Sequence, residues 1–336
     1  MKDYRSLVRD ALAALEITSA TTYQWFGVPS AVLPEDAVSK LPATDLRLVL
    51  KAALKSRLYA DFYCPGSARA SHREESIPRF PTHTSFLSAL SDANSGSGSR
   101  VGGWRVVRRS GELVVVERYG LHIWARPEEI VAATDLAEHA EVAIIMPKEH
   151  FRLSPGFYVA LGNRELPDDP AAGQVRYYWN VESQGAASLM ESLTKRLNEG
   201  GVAFRFKIVS DPTGYSRADA GVLYVLKPEL PLVQPIVREC YRSMARHVRA
   251  RTPAFAEEVA PGLGFAESPP DPAESFGTAR CELLAEAALR VYEAGASAPE
   301  DRIAIAESCF AESGIRVDRP YLNPITPGTA AHADAN

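Results

Sequence analysis

No run of apolar residues in this chain approaches the ~18 needed to cross a bilayer, so no segment reads as a membrane span. The first residues, Met1-Lys2-Asp3-Tyr4-Arg5, lead into no apolar stretch, so no signal peptide is read and a cytoplasmic protein is expected. Cysteine is sparse. The four present, Cys64, Cys240, Cys281 and Cys309, form no CxxC pair and have no His at zinc-ligand spacing, which argues against structural zinc and a disulfide framework. An excess of one charge is also missing: 37 Lys and Arg against 42 Asp and Glu leave a net −5, which does not favour bulk nucleic-acid binding. There is no P-loop, no GxGxxG turn after a strand, no HExxH helix and no GxSxG elbow. No metal and no redox cofactor is therefore expected.

What is present is an ordinary globular composition, 46% apolar and 24% charged over 336 residues, enough for one large domain or two moderate ones. Apolar spacing predicts helices over 4–15 and 45–63. The Asn94-Ser95-Gly96-Ser97-Gly98-Ser99 stretch reads as a surface loop or linker. After it the period shortens: 104–107, a turn at Arg109-Ser110-Gly111, and 113–124 read as a hairpin. His122 and Trp124 are expected to pack within it. Strands are predicted over 142–146 and 156–161, with a polar turn over 147–152 between them. Further strands are read over 174–181, 203–209 and 221–226, and helices over 186–198, 231–251, 276–293 and 299–312. Residues 260–274, rich in Pro and Gly, read as a loop. Without regular βα alternation the expectation is α+β: a mixed or antiparallel central sheet with flanking helices, after a mainly helical N-terminal region. The expected division is a helical region over 1–99, an α+β domain over 100–326 and a disordered tail over 327–336.

The region from 174 to 226 carries chemistry. Its strand-like runs hold Arg176-Tyr177-Tyr178-Trp179-Asn180, Phe204-Arg205-Phe206-Lys207-Ile208, and Tyr215-Ser216-Arg217 ahead of Tyr224. Side chains alternate across a strand. Lys207 therefore points away from Phe206 and Ile208, Arg205 shares its face, and Tyr178 can share a face with Asn180 or Arg176. Residues 141–251 hold 15 Lys and Arg against 12 Asp and Glu, a local positive excess on an acidic chain. Arg binds phosphate with a planar fork and Lys as a point charge, so a phosphate-bearing small group or peptide fits this pattern. Arg238, Arg242, Arg246 and Arg249 lie on one helix face, read as solvated.

Five segments together carry a resemblance: Phe157-Tyr158-Val159-Ala160-Leu161-Gly162, Arg176-Tyr177-Tyr178-Trp179-Asn180, Tyr215-Ser216-Arg217-Ala218-Asp219, Ser275-Phe276-Gly277-Thr278-Ala279-Arg280, and Asp318-Arg319-Pro320-Tyr321-Leu322-Asn323-Pro324. They resemble the HopA-type effector family, roughly over 142–324. That family includes plant-pathogen effectors and stand-alone proteins of class V lanthipeptide and thioamitide biosynthesis. It is distantly similar to phosphothreonine lyases, which carry a Lys-x-His strand, a helix, a Phe-Lys-Phe strand, then an Arg and a Tyr. Phe206-Lys207-Ile208, Arg217 and Tyr224 follow that order. Tyr178-x-Asn180 stands where Lys-x-His is expected, and a Lys-x-His, Lys148-Glu149-His150, occurs one strand earlier.

The resemblance implies a metal-independent lyase that eliminates phosphate from phosphoserine or phosphothreonine to leave dehydroalanine or dehydrobutyrine. It implies Lys207 as base or enolate stabiliser and Tyr178, His150 or Tyr224 as proton donor, with Lys148 joining the catalytic set. Arg176, Arg217, Arg280, Arg205 and Asn180 are the expected phosphate ligands. The implied partners are a separate Ser/Thr kinase, since the chain has no kinase motif, and a precursor peptide; neither nucleic acid nor membrane is expected. The alternative is a non-catalytic effector or partner-binding protein with a degenerate pocket.

Overall fold

The structure, a computed structural model, describes residues 2–34, 40–65, 83–131, 136–151, 153–167, 172–271 and 274–324. The expected tail over 327–336 lies outside them. Helix α1 (Tyr4–Ala14) is capped by Asp3, whose carboxylate accepts from the Ser6 N–H. Strands β1 (Leu15–Ser19), β2 (Thr22–Trp25) and β3 (Val28–Ala31) form a small meander. Helix α2 (Ala43–Arg57) runs into a π-helical turn (Leu58–Tyr63), and α3 (Thr84–Ala93) follows. The N-terminal region thus carries a three-stranded sheet beside its helices.

β4 (Ser99–Ser110), β5 (Leu113–Arg118), β6 (Leu121–Ala125), β7 (Ile130–Val131) and β8 (Glu141–Met146) make an antiparallel sheet in the order β6-β5-β4-β8-β7. Its inner face buries Val101, Trp104, Val106, Val114, Val116 and Ile144. The expected hairpin is real, but β6 is an edge strand, so His122 and Trp124 are exposed rather than packed.

The central sheet has seven antiparallel strands in the order β14-β15-β11-β13-β12-β10-β9. These are β9 (Glu149–His150), β10 (Phe157–Leu161), β11 (Gln174–Trp179), β12 (Phe204–Val209), β13 (Gly221–Leu226), β14 (Glu257–Ala260) and β15 (Leu263–Glu267). Gly-Val-Leu-Tyr-Val-Leu of β13 is buried throughout, as a central strand covered on both faces must be. One face carries Tyr177, Trp179, Phe204, Phe206, Ile208 and Leu223 against α4 (Ala186–Glu199) and α5 (Leu230–Met244). The other face, with Tyr178, Val222, Tyr224 and Ala266, joins a core built from α1, α2, the π-turn, α6 (Phe276–Glu293) and α7 (Pro299–Glu312). Sheets antiparallel throughout, with helices in separate layers, make the fold α+β.

Two elements differ from their sequence patterns. The helix expected to reach residue 251 ends at Met244, and the segment beyond it peels off so that the Arg249 N–H can donate to the Asn180 carbonyl. The Pro- and Gly-rich stretch after 260 contains β15, paired to β14 through a turn with Gly262 at φ +77°. Alternation in β15 is hidden because β15 is buried on both faces except at Phe265.

The N-terminal and C-terminal segments meet at Gly277. A Cβ there would lie 2.2 Å from Cε1 of Tyr63, so the α6 backbone and the π-turn ring are in direct contact. Gly277→Ala is expected to cost ~1–3 kcal/mol by overpacking, read as a lower denaturation midpoint with unchanged slope.

Candidate functional site

The antiparallel register places the candidate residues in two adjacent rows on one face of the central sheet. One row runs His150, Val159, Lys207, Val222, Tyr178 and Gly264. The next runs Leu161, Arg205, Tyr224, Arg176 and Ala266. Apolar side chains fill the opposite face, so the cations have one direction left. α6 and the π-turn cover the Tyr178 and Arg176 end; Arg205, Lys207 and His150 stay half-buried.

Tyr224 is the centre. The guanidinium carbons of Arg176 and Arg205 lie 5.1 and 4.9 Å from its ring centroid, and Lys207 Nζ lies 5.7 Å away. Cations over an aromatic face are held by its quadrupole. Burial pushes the Tyr224 phenol up, but Lys207, Arg176 and Arg205 together outweigh it, and its pKa falls below the ordinary tyrosine value. Of the three cations, Lys207 has the largest effect on the phenol. Tyr178, wholly enclosed, behaves in the opposite way: burial pushes it up to about 12, although Arg176 opposes the shift. Its hydroxyl makes no hydrogen bond among the described residues. Of the two phenols, Tyr224 is the better proton donor.

Phe157 was not singled out by sequence. Its ring contacts two cations, with Lys207 Nζ 4.7 Å and the Arg217 guanidinium 5.1 Å from its centroid. Arg217 forms a bidentate pair with Asp219, with Nη2 to Oδ2 at 3.0 Å. The pair is buried, not a surface contact. Burial raises the Asp219 carboxyl, but Arg217 outweighs it and the pKa is lowered. Cys64 Sγ donates to Asp219 Oδ1 at 2.9 Å. Burial first, then Asp219, pushes that thiol up. The spacing of Arg217 and Asp219 was a usable signal for the pair; Cys64, 155 residues away from Asp219, left none.

Arg176 donates to Ser268 Oγ at 2.8 Å and to the Glu274 carbonyl at 3.3 Å, both uncharged acceptors. Among the described residues, no carboxylate is ion-paired with Arg176, Arg205 or Lys207. Among the described residues the face therefore keeps a positive charge without a carboxylate partner beside one neutralised pair, an arrangement with the chemistry to receive an oxyanion.

Other candidates are held elsewhere. Arg280 is buried and donates to the Pro320 and Leu322 carbonyls and to Asn323 Oδ1; it ties down the C-terminal segment, and burial lowers its pKa to about 10. Asn180 Nδ2 donates to the Arg251 carbonyl at 2.8 Å, joining the end of β11 to the chain that follows α5. Lys148 Nζ donates to the Ser91 and Asn94 carbonyls at the C-terminus of α3. His150 sits on strand β9 rather than in a turn, in the Lys207 row but two strands away, roughly 10 Å at the ordinary strand spacing.

Arg217→Met is expected to destabilise the fold by about 3–5 kcal/mol, because it strands the buried Asp219 charge; Arg217→Met with Asp219→Asn should recover much of this in a denaturant titration. Tyr224 should ionise at lower pH than the other tyrosines in a phenolate-absorbance titration. A depressed folded pKa means that its contribution to stability grows as pH rises through that pKa and is complete above the unfolded value. Lys207→Met removes a cation but not the burial, so the Tyr224 transition should move up in pH.

A family model described as the HopA1 effector protein family matches residues 148–322, the span holding both rows and their helices. No curated protein matches the chain. Two solved structures are similar, both effector proteins of Pseudomonas syringae. That from pathovar tomato strain DC3000 is 14% identical with a TM-score of 0.45, covering 82% of this chain and 97% of its own. That from pathovar syringae strain 61 is 16% identical with a TM-score of 0.45, covering 82% of this chain and 98% of its own. With more than half of its length matched by the family model, the chain belongs to the HopA1 effector protein family.

Proposed function

We propose that the cationic face binds the phosphate of a phosphoserine or phosphothreonine side chain in a peptide and eliminates it. The observation that supports this reading is the contact set around Tyr224: three cations without carboxylate partners among the described residues, gathered over a phenol of lowered pKa. Arg176 and Arg205 hold the phosphate oxygens, with Arg217 nearby against the Phe157 ring. The Lys207 ammonium first gives a proton to solvent, and the free amine then takes the α-proton. The C–H electron pair becomes the Cα=Cβ bond while the Cβ–O bond breaks, and phosphate leaves with that bonding pair. Tyr224 gives its proton to the departing phosphate. Lys207 is then an ammonium beside the Tyr224 phenolate, and one proton passed between them restores the free amine and the phenol. The neighbouring guanidiniums stabilise the charge that develops on the carbonyl oxygen and the leaving group. The substrate is supplied by a separate Ser/Thr kinase, as in lanthipeptide-type peptide modification.

A second reading has a specific observation in its favour. Tyr178 is enclosed and Asn180 is bonded to the Arg251 backbone, where a phosphothreonine-lyase pattern would have Lys and His. A face that holds a phosphorylated or acidic partner without chemistry fits this and the family's description as effectors.

Incubation with phosphoserine and phosphothreonine peptides separates the two by mass. The lyase reading expects loss of phosphoric acid and a dehydro residue that traps thiols. Lys207→Ala should slow the loss by ~10²–10⁴-fold and Tyr224→Phe by a comparable factor, the range for a general acid–base group. Binding of these peptides with no mass change in any case would replace the lyase by the binding reading.

A further inference from the structure

A continuous run of hydrogen bonds connects the closing segment, residues 318–324, to Arg176. Arg280 Nη2 donates to Asn323 Oδ1 at 3.2 Å, and the Asn323 N–H donates to Glu267 Oε2 at 2.8 Å. Asn323 Nδ2 donates to the Ser268 carbonyl, and Ser268 Oγ accepts from Arg176 Nε at 2.8 Å. Backbone pairing seats the run: the Glu267 N–H donates to the Tyr321 carbonyl at 2.8 Å and the Ser268 N–H to the Gln174 carbonyl at 2.7 Å. That last bond extends the β11–β15 ladder by one residue, since Val175 faces Glu267 and Arg176 faces Ala266. Ser268 therefore shares the face of Ala266, diagonal to Arg176, while Tyr224 lies opposite Arg176 on the other neighbouring strand. Arg176 is thus held between the Tyr224 ring and a hydroxyl just beyond β15. An arginine left unheld would have to be ordered each time it met an anion.

We propose that Ser268 and Asn323 are positioning residues, which hold the Arg176 guanidinium in the direction in which it receives phosphate. The closing segment then serves the phosphate site as well as the packing. The proposal rests on the phosphopeptide reading of the cationic face. The bonding separates this role from plain packing. The Ser268 N–H and carbonyl pair with Gln174 and Asn323 whatever side chain stands at 268, so what the hydroxyl alone adds is an acceptor for Arg176 Nε. That acceptor is uncharged, so it directs the fork and leaves its charge for an anion. Asn323 uses both ends of its amide, Oδ1 toward Arg280 and Nδ2 toward Ser268. A change there loosens Ser268 while every bond of Arg176 itself is kept.

The test uses the full chain with Lys207→Ala, which keeps both arginines assigned to phosphate, and a short phosphoserine peptide with its unphosphorylated counterpart. In calorimetric titration Ser268→Ala should weaken phosphopeptide binding ~10-fold, the scale of ordering one long side chain, and leave the unphosphorylated peptide unaffected. Asn323→Ala, the milder variant, should weaken it by a smaller factor, because the Ser268 N–H keeps its bond to Gln174. With Arg176→Met already in place, both substitutions should leave the remaining affinity unchanged, a non-additivity that a general loss of stability does not produce. Unchanged phosphopeptide affinity in both variants, an equal loss for the two peptides, or the same loss in the Arg176→Met background would overturn the positioning role alone. A parent chain that binds the phosphoserine peptide no more tightly than its counterpart would overturn the phosphopeptide reading and this role with it.

Discussion

Tyr224 and the three cations gathered around its ring organise the cationic face of the central sheet. A phenol on a central strand, buried between two layers, would ordinarily hold its proton tightly. Arg176 and Arg205 on its neighbouring strands and Lys207 beside it reverse that tendency. In return the ring gives the cations an aromatic surface to rest on. This arrangement holds only if the register of β11, β13 and β12 is kept. A slip of one residue would send every cation into the apolar layer beneath α4 and α5. Trp179, Phe204, Phe206 and Leu223, all on that layer's side, are thus the residues that fix where the cations point.

Around this centre the cations divide by what holds them. Arg217 is neutralised by Asp219, and both it and Lys207 rest against the Phe157 ring. Arg176 is fixed by a hydroxyl and a backbone carbonyl, which orient its fork without cancelling its charge. Arg280, equally buried, spends its donors on the C-terminal segment and acts as a structural clamp. Burial and residue type alone do not separate these roles; the partner atoms do. Among the described residues, the half of the face over β12 and β10 is less covered than the half under α6, which leaves Lys207 more open on that side.

Family membership agrees with this architecture at a coarse level. The span matched by the HopA1 effector model contains both rows, the helices behind them and the closing segment that Arg280 anchors.

Much of the site was legible in the sequence because strand alternation is a local rule. Phe206-Lys207-Ile208 assigns Lys207 to the face opposite two apolar neighbours whatever surrounds it, and Arg205 follows. The long helices and the strands of 174–226 were readable for the same reason. Three things were not. The segments over 245–251 and 260–267 depend on pairing with distant chain: Arg249 on Asn180, and β15 on β11 and β14. The roles of Arg280, Asn180 and Lys148 depend on which carbonyls come within reach. The Cys64–Asp219–Arg217 chain and the Phe157 ring contacts join residues far apart in sequence. The sequence by itself determined which face each strand residue takes, since that is set by backbone geometry. Tertiary structure decided which cations remain uncompensated, since compensation requires a partner atom within a few ångströms and no local pattern specifies one.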